Sequence, residues 1–341
     1  MKNNQKPYAV PSNWLIAMLA AIMLQSAPIQ AGRLLDPFSS ANRNPFVQVF
    51  GLPEAESAEL TAAHSWQSAV QFEVGNNFSE HSGTRETIII DGESYRAQLQ
   101  LRYGLSQDIE VGIEVPYLSH DRGGLDSFIE NWHDLWGLPD GGRPAFPQDQ
   151  LLISYQQDGV ERVNISRAAD GVGDININMA YQLASTETRQ WALRTSVKLP
   201  SGEAKQLLGS ESTDISLGIH VSDQDLLQNY NISLHGSAGV LWMDSGEVLD
   251  QQREDWVFYG STTLGWLMTS ALSLKLQLDA HTAFYDSRLT ELGSDSVQLL
   301  MGGSIRLSEK WALDLAVSED IAVNTAPDVV FHLGLKMREW Q

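Results

Sequence analysis

The stretch from Ser94 to Gly104 reads SYRAQLQLRYG, alternating apolar or aromatic side chains with charged or amide ones at every step. Tyr95, Ala97, Leu99, Leu101 and Tyr103 share one parity and Arg96, Gln98, Gln100 and Arg102 the other. A period of two is sorted into a dry face and a wet face only by an extended strand. The same template fits twelve segments: 66–78, 93–103, 109–118, 172–183, 191–199, 213–221, 230–242, 255–267, 272–285, 296–307, 311–321 and 328–338. Twelve half-dry strands must bury their dry faces either against a second sheet, as in a soluble sandwich, or against lipid, as in an outer-membrane barrel with a wet interior.

The connections separate these two solutions. Those after the second, fourth, sixth, eighth and tenth strands are short, while those after the first, third, fifth, seventh and ninth are expected to run longer, the longest being 119–171. Short periplasmic turns alternating with longer outer loops, and an even strand number, mark bacterial outer-membrane barrels. Aromatics agree with that reading. Trp66, Tyr103, Tyr181, Trp191, Tyr230, Trp266 and Trp311 fall at the short-turn ends, and Tyr117, Trp242, Trp256 and Phe284 at the long-loop ends. Two girdles are what a barrel in a bilayer carries at its two interfaces. The expected fold is therefore all-β: a transmembrane antiparallel up-and-down β-barrel of about twelve strands over residues 66–341.

The start of the chain fits export. Lys2 and Lys6 precede the apolar run WLIAMLAAIML, Trp14 to Leu24, and small residues lead to Ala31. A charged segment, a short apolar core and a small-residue cleavage site make residues 1–31 a secretory signal peptide, because a spanning helix needs about 20 apolar residues. The chain has no cysteine, so neither a lipid-modified cysteine nor a disulfide is expected. Its formal net charge is −21, and loss of Lys2 and Lys6 with the leader makes it more negative still. Such a chain is no partner for nucleic acid, which demands a basic patch. The expected surroundings are outer-membrane lipid and lipopolysaccharide in a Gram-negative cell, reached through the barrel-assembly machinery.

Two segments escape the alternation. Residues 32–65 carry Pro37, Pro45 and Pro53 and read as an irregular stretch that either hangs in the periplasm or folds into the barrel mouth as a plug. The long extracellular loop 119–171 holds an expected helix, Leu125 to Trp136, with Phe128, Trp132, Leu135 and Trp136 on one face and Asp126 as N-cap. Phe128, Trp132, His133 and Trp136 are candidates for a lid over the mouth.

NPFVQVFGLPEA (44–55), FIENWHDLWGLPDGGRP (128–144) and GVGDININMAYQL (171–183) together resemble a domain-of-unknown-function family of proteobacterial outer-membrane proteins. That resemblance implies an outer-membrane β-barrel and carries no catalytic residues. The GVGD strand is also similar to outer-membrane transporters linked to aromatic-compound degradation.

Function is then read from the lumen. On inward parity lie Glu73, Glu110, Glu114, Asp174, Asp214, Asp279 and Asp314, facing Arg96, Arg102, Arg194, Lys198, Lys275, Arg306, Lys336 and Arg338, together with His281. Twelve strands enclose more space than the eight whose side chains fill the interior. The leading expectation is a channel or transporter for small solutes gated by the 119–171 loop. A barrel with its charges paired and its lumen closed, serving structure or surface recognition, is the alternative. A lipid acyl hydrolase using His235 and Ser237 is a third, disfavoured because both residues take lumen parity, away from acyl chains. His220, His235, His281 and His332 show no metal-ligand spacing, and no cofactor is expected. The last strand should carry the assembly signal: deleting residues 329–341 is expected to abolish outer-membrane assembly, read as loss of the heat-modifiable form from that membrane fraction.

Overall fold

The computed structural model describes residues 34–125, 127, 148–227, 230–321 and 325–340, so the expected leader and most of the expected loop helix, with Phe128, Trp132, His133 and Trp136, lie outside the described residues. Twelve long strands make one closed antiparallel barrel: β1 (Trp66–Ser82), β2 (Glu86–Gly104), β3 (Ile109–Asp121), β7 (Ile175–Ser185), β8 (Arg189–Leu199), β9 (Asp214–Leu227), β10 (Ile232–Met243), β11 (Trp256–Thr269), β12 (Leu272–His281), β13 (Ser296–Arg306), β14 (Trp311–Asp320) and β15 (Val329–Trp340). Closure is made where β1 pairs with β15, from Trp66↔Trp340 to Asn76↔Val329. A spanning sheet has to close, because an open edge in hydrocarbon leaves N–H and C=O groups unpaired at several kcal/mol each.

Exposure decides which face meets lipid. On β12, Leu274, Leu276 and Leu278 are 44 %, 46 % and 42 % exposed, while Lys275 and Gln277 between them are 4 % and 0 % exposed. Leucine out and glutamine in is the reverse of a soluble sandwich and the pattern of a barrel in a bilayer. Tyr95 and Leu99 of the opening stretch point outward likewise, and Gln98 is buried. Exposed Trp66, Tyr181, Trp191, Trp266 and Trp311 ring the short-turn end, and exposed Tyr117, Trp256 and Phe258 the other.

Four local expectations are corrected. The connection after the first strand is three residues, because β1 and β2 continue as a hairpin well past the girdle, pairing out to Ser82↔Thr87. The strand expected over 172–183 is interrupted: β6 (Ala169–Val172) and β7 both pair with β3 but are separated at Gly173 and Asp174. Opposite the break sits Pro116, which has no N–H to continue the ladder; the Gly173 N–H donates to its carbonyl at 2.9 Å. The strand expected over 272–285 stops at His281, and Phe284 is buried rather than part of a girdle. The 119–171 loop contains a further hairpin, β4 (Leu152–Gln157) and β5 (Val160–Ile165), which extends the sheet by pairing β4 with the protruding half of β2.

Leu276→Arg places a charge on the lipid face at mid-strand and is expected to destabilise the refolded barrel by about 2–4 kcal/mol. Urea titration of heat-modifiable protein in lipid vesicles measures this; an unchanged midpoint would contradict the outward assignment.

Candidate functional site

Residues 34–65 run inside the barrel, up one wall and down the other. The ascending arm follows β12 in step. Ser273 Oγ donates to the Leu34 carbonyl (2.5 Å), Lys275 Nζ to that of Asp36 (2.8 Å), and Gln277 Nε2 to that of Phe38 (3.1 Å). The Phe38 N–H returns a bond to Gln277 Oε1 (2.9 Å), Ser40 Oγ donates to Asp279 Oδ2 (2.7 Å), and Asn42 Nδ2 meets His281 Nε2 (2.9 Å). Every one of these partners is 239 residues away along the chain. The constant offset means that two extended chains advance together, each second wall side chain reaching each second residue of the segment. Buried backbone groups must be paired; here polar side chains of the wall pair them instead of a neighbouring strand.

At the long-loop end the segment turns. Asn42 Oδ1 accepts from the Asn44 N–H and Asn44 Oδ1 from the Phe46 N–H, both at 2.9 Å, a side-chain-capped turn typical of asparagine. Phe46, Val47, Val49 and Phe50 then enter an apolar cluster with Ile88, Ile90, Ile153, Tyr155, Leu207, Met243, Phe284 and Leu289. Phe50 stacks on Phe284 at 5.4 Å, and the Tyr285 hydroxyl donates to the Phe46 carbonyl at 2.6 Å. The cluster caps the outer mouth.

The descending arm is held by ions. Arg43 bridges Glu54 of the same segment and Glu73 of β1, each at 2.6 Å. Glu56 is gripped by Arg102 (2.6 Å) and Arg194 (2.8 Å), and Arg194 also holds Glu110 (2.8 Å) and the Ser57 carbonyl. Burial alone would push the Glu56 carboxyl up, but Arg102 and Arg194 outweigh it and hold it below the ordinary carboxylate range. Because the folded value is the lower one, this pairing is present at neutral pH and is lost only as the pH falls through that lowered range. Lower down, the Ala58 N–H donates to Ser222 Oγ (2.9 Å), and the Thr61 N–H and hydroxyl both donate to Glu110 Oε2 (2.6 Å). Ala63 makes a parallel bridge to Gly104, where a side chain would sit 2.2 Å from the Ala62 carbonyl; only glycine admits this approach.

The lumen candidates therefore face inward but do not line an open pore. Arg96 is buried against Gln98 and lies 4.0 Å from Glu73, and Glu114 accepts from Gln100 (2.7 Å). Asp174, at the strand break, binds Lys198 Nζ (2.5 Å) and the amides of Ser201, Gly202 and Ser210. Lys275 and Lys336 share Asp314, at 3.5 and 2.7 Å. Arg306 is half-buried at the short-turn end of β13. His235 and Ser237 do not meet as a catalytic pair: His235 Nδ1 bonds Ser222 Oγ (2.8 Å) and Ser237 bonds Ser261 (2.7 Å). The sequence reading missed Arg43, Glu54 and Glu56 because it sought lumen charges only on strand parity. The signal available was NPFVQVF, a turn-forming asparagine beside apolar residues too dry for the periplasm.

Among the described residues, space remains at the short-turn end. A vestibule of about 940 Å³ opens at the short-turn end beneath Leu60, Thr61, Glu187, Asp225 and Leu267. Above it, a cavity of about 80 Å³ lies between Glu56, Arg102, Gln100, Asp36 and Lys336, and pockets of about 20 Å³, room for single waters, follow.

A closed twelve-stranded antiparallel barrel, apolar outside and holding an internal segment on a polar wall, is an outer-membrane-type β-barrel. The chain belongs to the family described as protein of unknown function DUF3187, whose pattern it matches over residues 15–338. No curated protein matches the sequence. Among solved structures, the COG4313 outer membrane channel from Pseudomonas putida F1 is similar at 13 % identity, over 83 % of this chain and 98 % of that one, with a TM-score of 0.54. The Pseudomonas putida toluene transporter TodX aligns over 90 % of this chain and 96 % of its own at 10 % identity and a TM-score of 0.38, and the Ralstonia pickettii toluene transporter TbuX over 81 % and 90 % at 10 % identity and 0.37.

Removing one member of a buried ion pair costs about 3–5 kcal/mol, because the partner is left buried and unpaired. Arg43→Ala removes the guanidinium shared by Glu54 and Glu73, leaving Glu54 to Gln98 and Glu73 to His332 and Arg96. It is expected to loosen residues 34–65 while the barrel stays intact, seen as new protease cleavage within that segment in folded protein; unchanged resistance would mean that the pair does not hold it.

Proposed function

We propose that the protein is a channel or transporter for small solutes in the Gram-negative outer membrane, shut in this state by residues 34–65, with the 119–171 loop governing access at the outer mouth. The observation that carries this reading is the way the segment is seated. Along the membrane-spanning part of the lumen its contacts are mainly hydrogen bonds and ion pairs, which water can replace on release, with two small apolar patches, Phe38 on Leu300 and Ala316 and Ala58 with Leu60 on Ala180 and Ala192. The vestibule of about 940 Å³ gives solutes a way to that wall from the side where outer-membrane barrels carry their short periplasmic turns. The likeness to the COG4313 outer membrane channel agrees with this reading.

A permanently closed barrel serving structure or surface recognition is favoured by one observation, the apolar cluster over the outer mouth, which water does not replace. Hydrolysis is not proposed, since His235 and Ser237 have separate partners.

Conductance in planar bilayers discriminates these readings. Protein lacking residues 36–58 and still heat-modifiable is expected to show long-lived openings that the full-length protein shows rarely. Removing 125–142 instead is expected to raise conductance if the loop also gates. A folded, silent 36–58 deletion would retire the channel in favour of the closed barrel.

A further inference from the structure

We infer that Arg102 and Arg194 form a binding station for small carboxylate anions, occupied in this closed state by the chain's own Glu56. The inference deepens the channel reading, on which it rests for the path but not for the site. One carboxylate bridges two guanidinium groups: Oε1 lies 2.6 Å from Arg102 and Oε2 2.8 Å from Arg194. The arginines come from β2 and β8, which β3 and β7 separate in the sheet, so it is barrel curvature that brings them together. Arg194 is also held by Glu110 at 2.8 Å and by the Ser57 carbonyl at 2.9 Å, which leaves Arg102 as the charge that Glu56 answers.

Planar guanidinium groups converging on one point fit a carboxylate better than a spherical anion. There is also room. The cavity of about 80 Å³ abuts Glu56 and Arg102 and is lined also by Asp36 and by Lys336, which Asp314 holds at 2.7 Å. Glu59 lines both this cavity and the periplasmic vestibule, so the two adjoin. The segment seated in the lumen carries four carboxylates and one guanidinium between residues 34 and 65, so the wall already accommodates a net negative guest. A soluble carboxylate arriving at this station would compete with Glu56 for the same two arginines, which makes the permeant itself the group that unseats the descending arm.

Chemical rescue tests the station without requiring passage. Full-length Glu56→Ala is expected to lose several degrees in its heat-modifiability midpoint, and sodium acetate to restore at least half of that loss in a saturable manner. Sodium chloride at equal ionic strength should not, wild type should gain no stability from acetate because Glu56 already fills the station, and Glu56→Ala combined with Arg102→Gln should lose the rescue. Should the double variant fail to fold, the reversal potential of Glu56→Ala in a potassium acetate gradient decides, with acetate expected to permeate several-fold better than potassium. Equal effects of acetate and chloride, an equal acetate response in wild type, or a preference for potassium would overturn the station. A protein that shows the rescue yet never conducts would retain the station and lose the channel.

Discussion

The structure depends on pairing buried backbone groups where no strand can pair them. On the outside of the barrel the problem is solved by closure, since each strand satisfies its neighbour and hydrocarbon sees only side chains. On the inside, an irregular segment of some thirty residues has been brought out of water with its N–H and C=O groups intact. Those groups need partners at regular intervals, and a β-strand offers one inward side chain every second residue. Ser273, Lys275, Gln277, Asp279 and His281 are spaced to meet Leu34, Asp36, Phe38, Ser40 and Asn42. The period of two that makes the outer face dry thus also sets the register of the segment within.

The strands were legible because period two is local information, readable within ten residues. The departures had local causes too, in part. Pro116 and Gly173 mark the break between β6 and β7, and both stand in the sequence. Other departures depended on distant residues. Phe284 continues the aromatic pattern of β12 but turns inward because Phe50 waits there. Ile88, Ile90 and Tyr155 belong to the protruding β2 and β4, and their burial follows from the cap that Phe46 and Phe50 complete. The internal path of residues 34–65 was the least legible feature, because beyond the asparagine turn at Asn42 and Asn44 most contacts that seat it on the wall join residues far apart and leave no spacing signal.

Charge completes the picture. A wall that pairs its own acids and bases was the alternative reading, and Lys198 with Asp174 and Lys275 with Asp314 do pair. Glu73, Arg102 and Arg194 also take partners from the segment, Arg43 and Glu56. Segment and wall are electrostatic complements, and an opening transition must break those pairs and hydrate both sides. The apolar cap at the outer mouth and the largely polar seat below it are therefore different kinds of closure: one resists water, the other mostly exchanges with it. Reversible closure requires the second to dominate along the solute path.

The central claim, that residues 34–65 leave their seat for solute to pass, is tested most directly by preventing them from leaving. The chain has no cysteine of its own, and the Ser57 and Ser222 hydroxyls meet at 3.1 Å, so Ser57→Cys with Ser222→Cys provides a single removable tether between segment and wall. Single-channel recording of this variant in planar bilayers should give silence under oxidising conditions and openings after reduction by dithiothreitol. Identical conductance in both states would contradict the account.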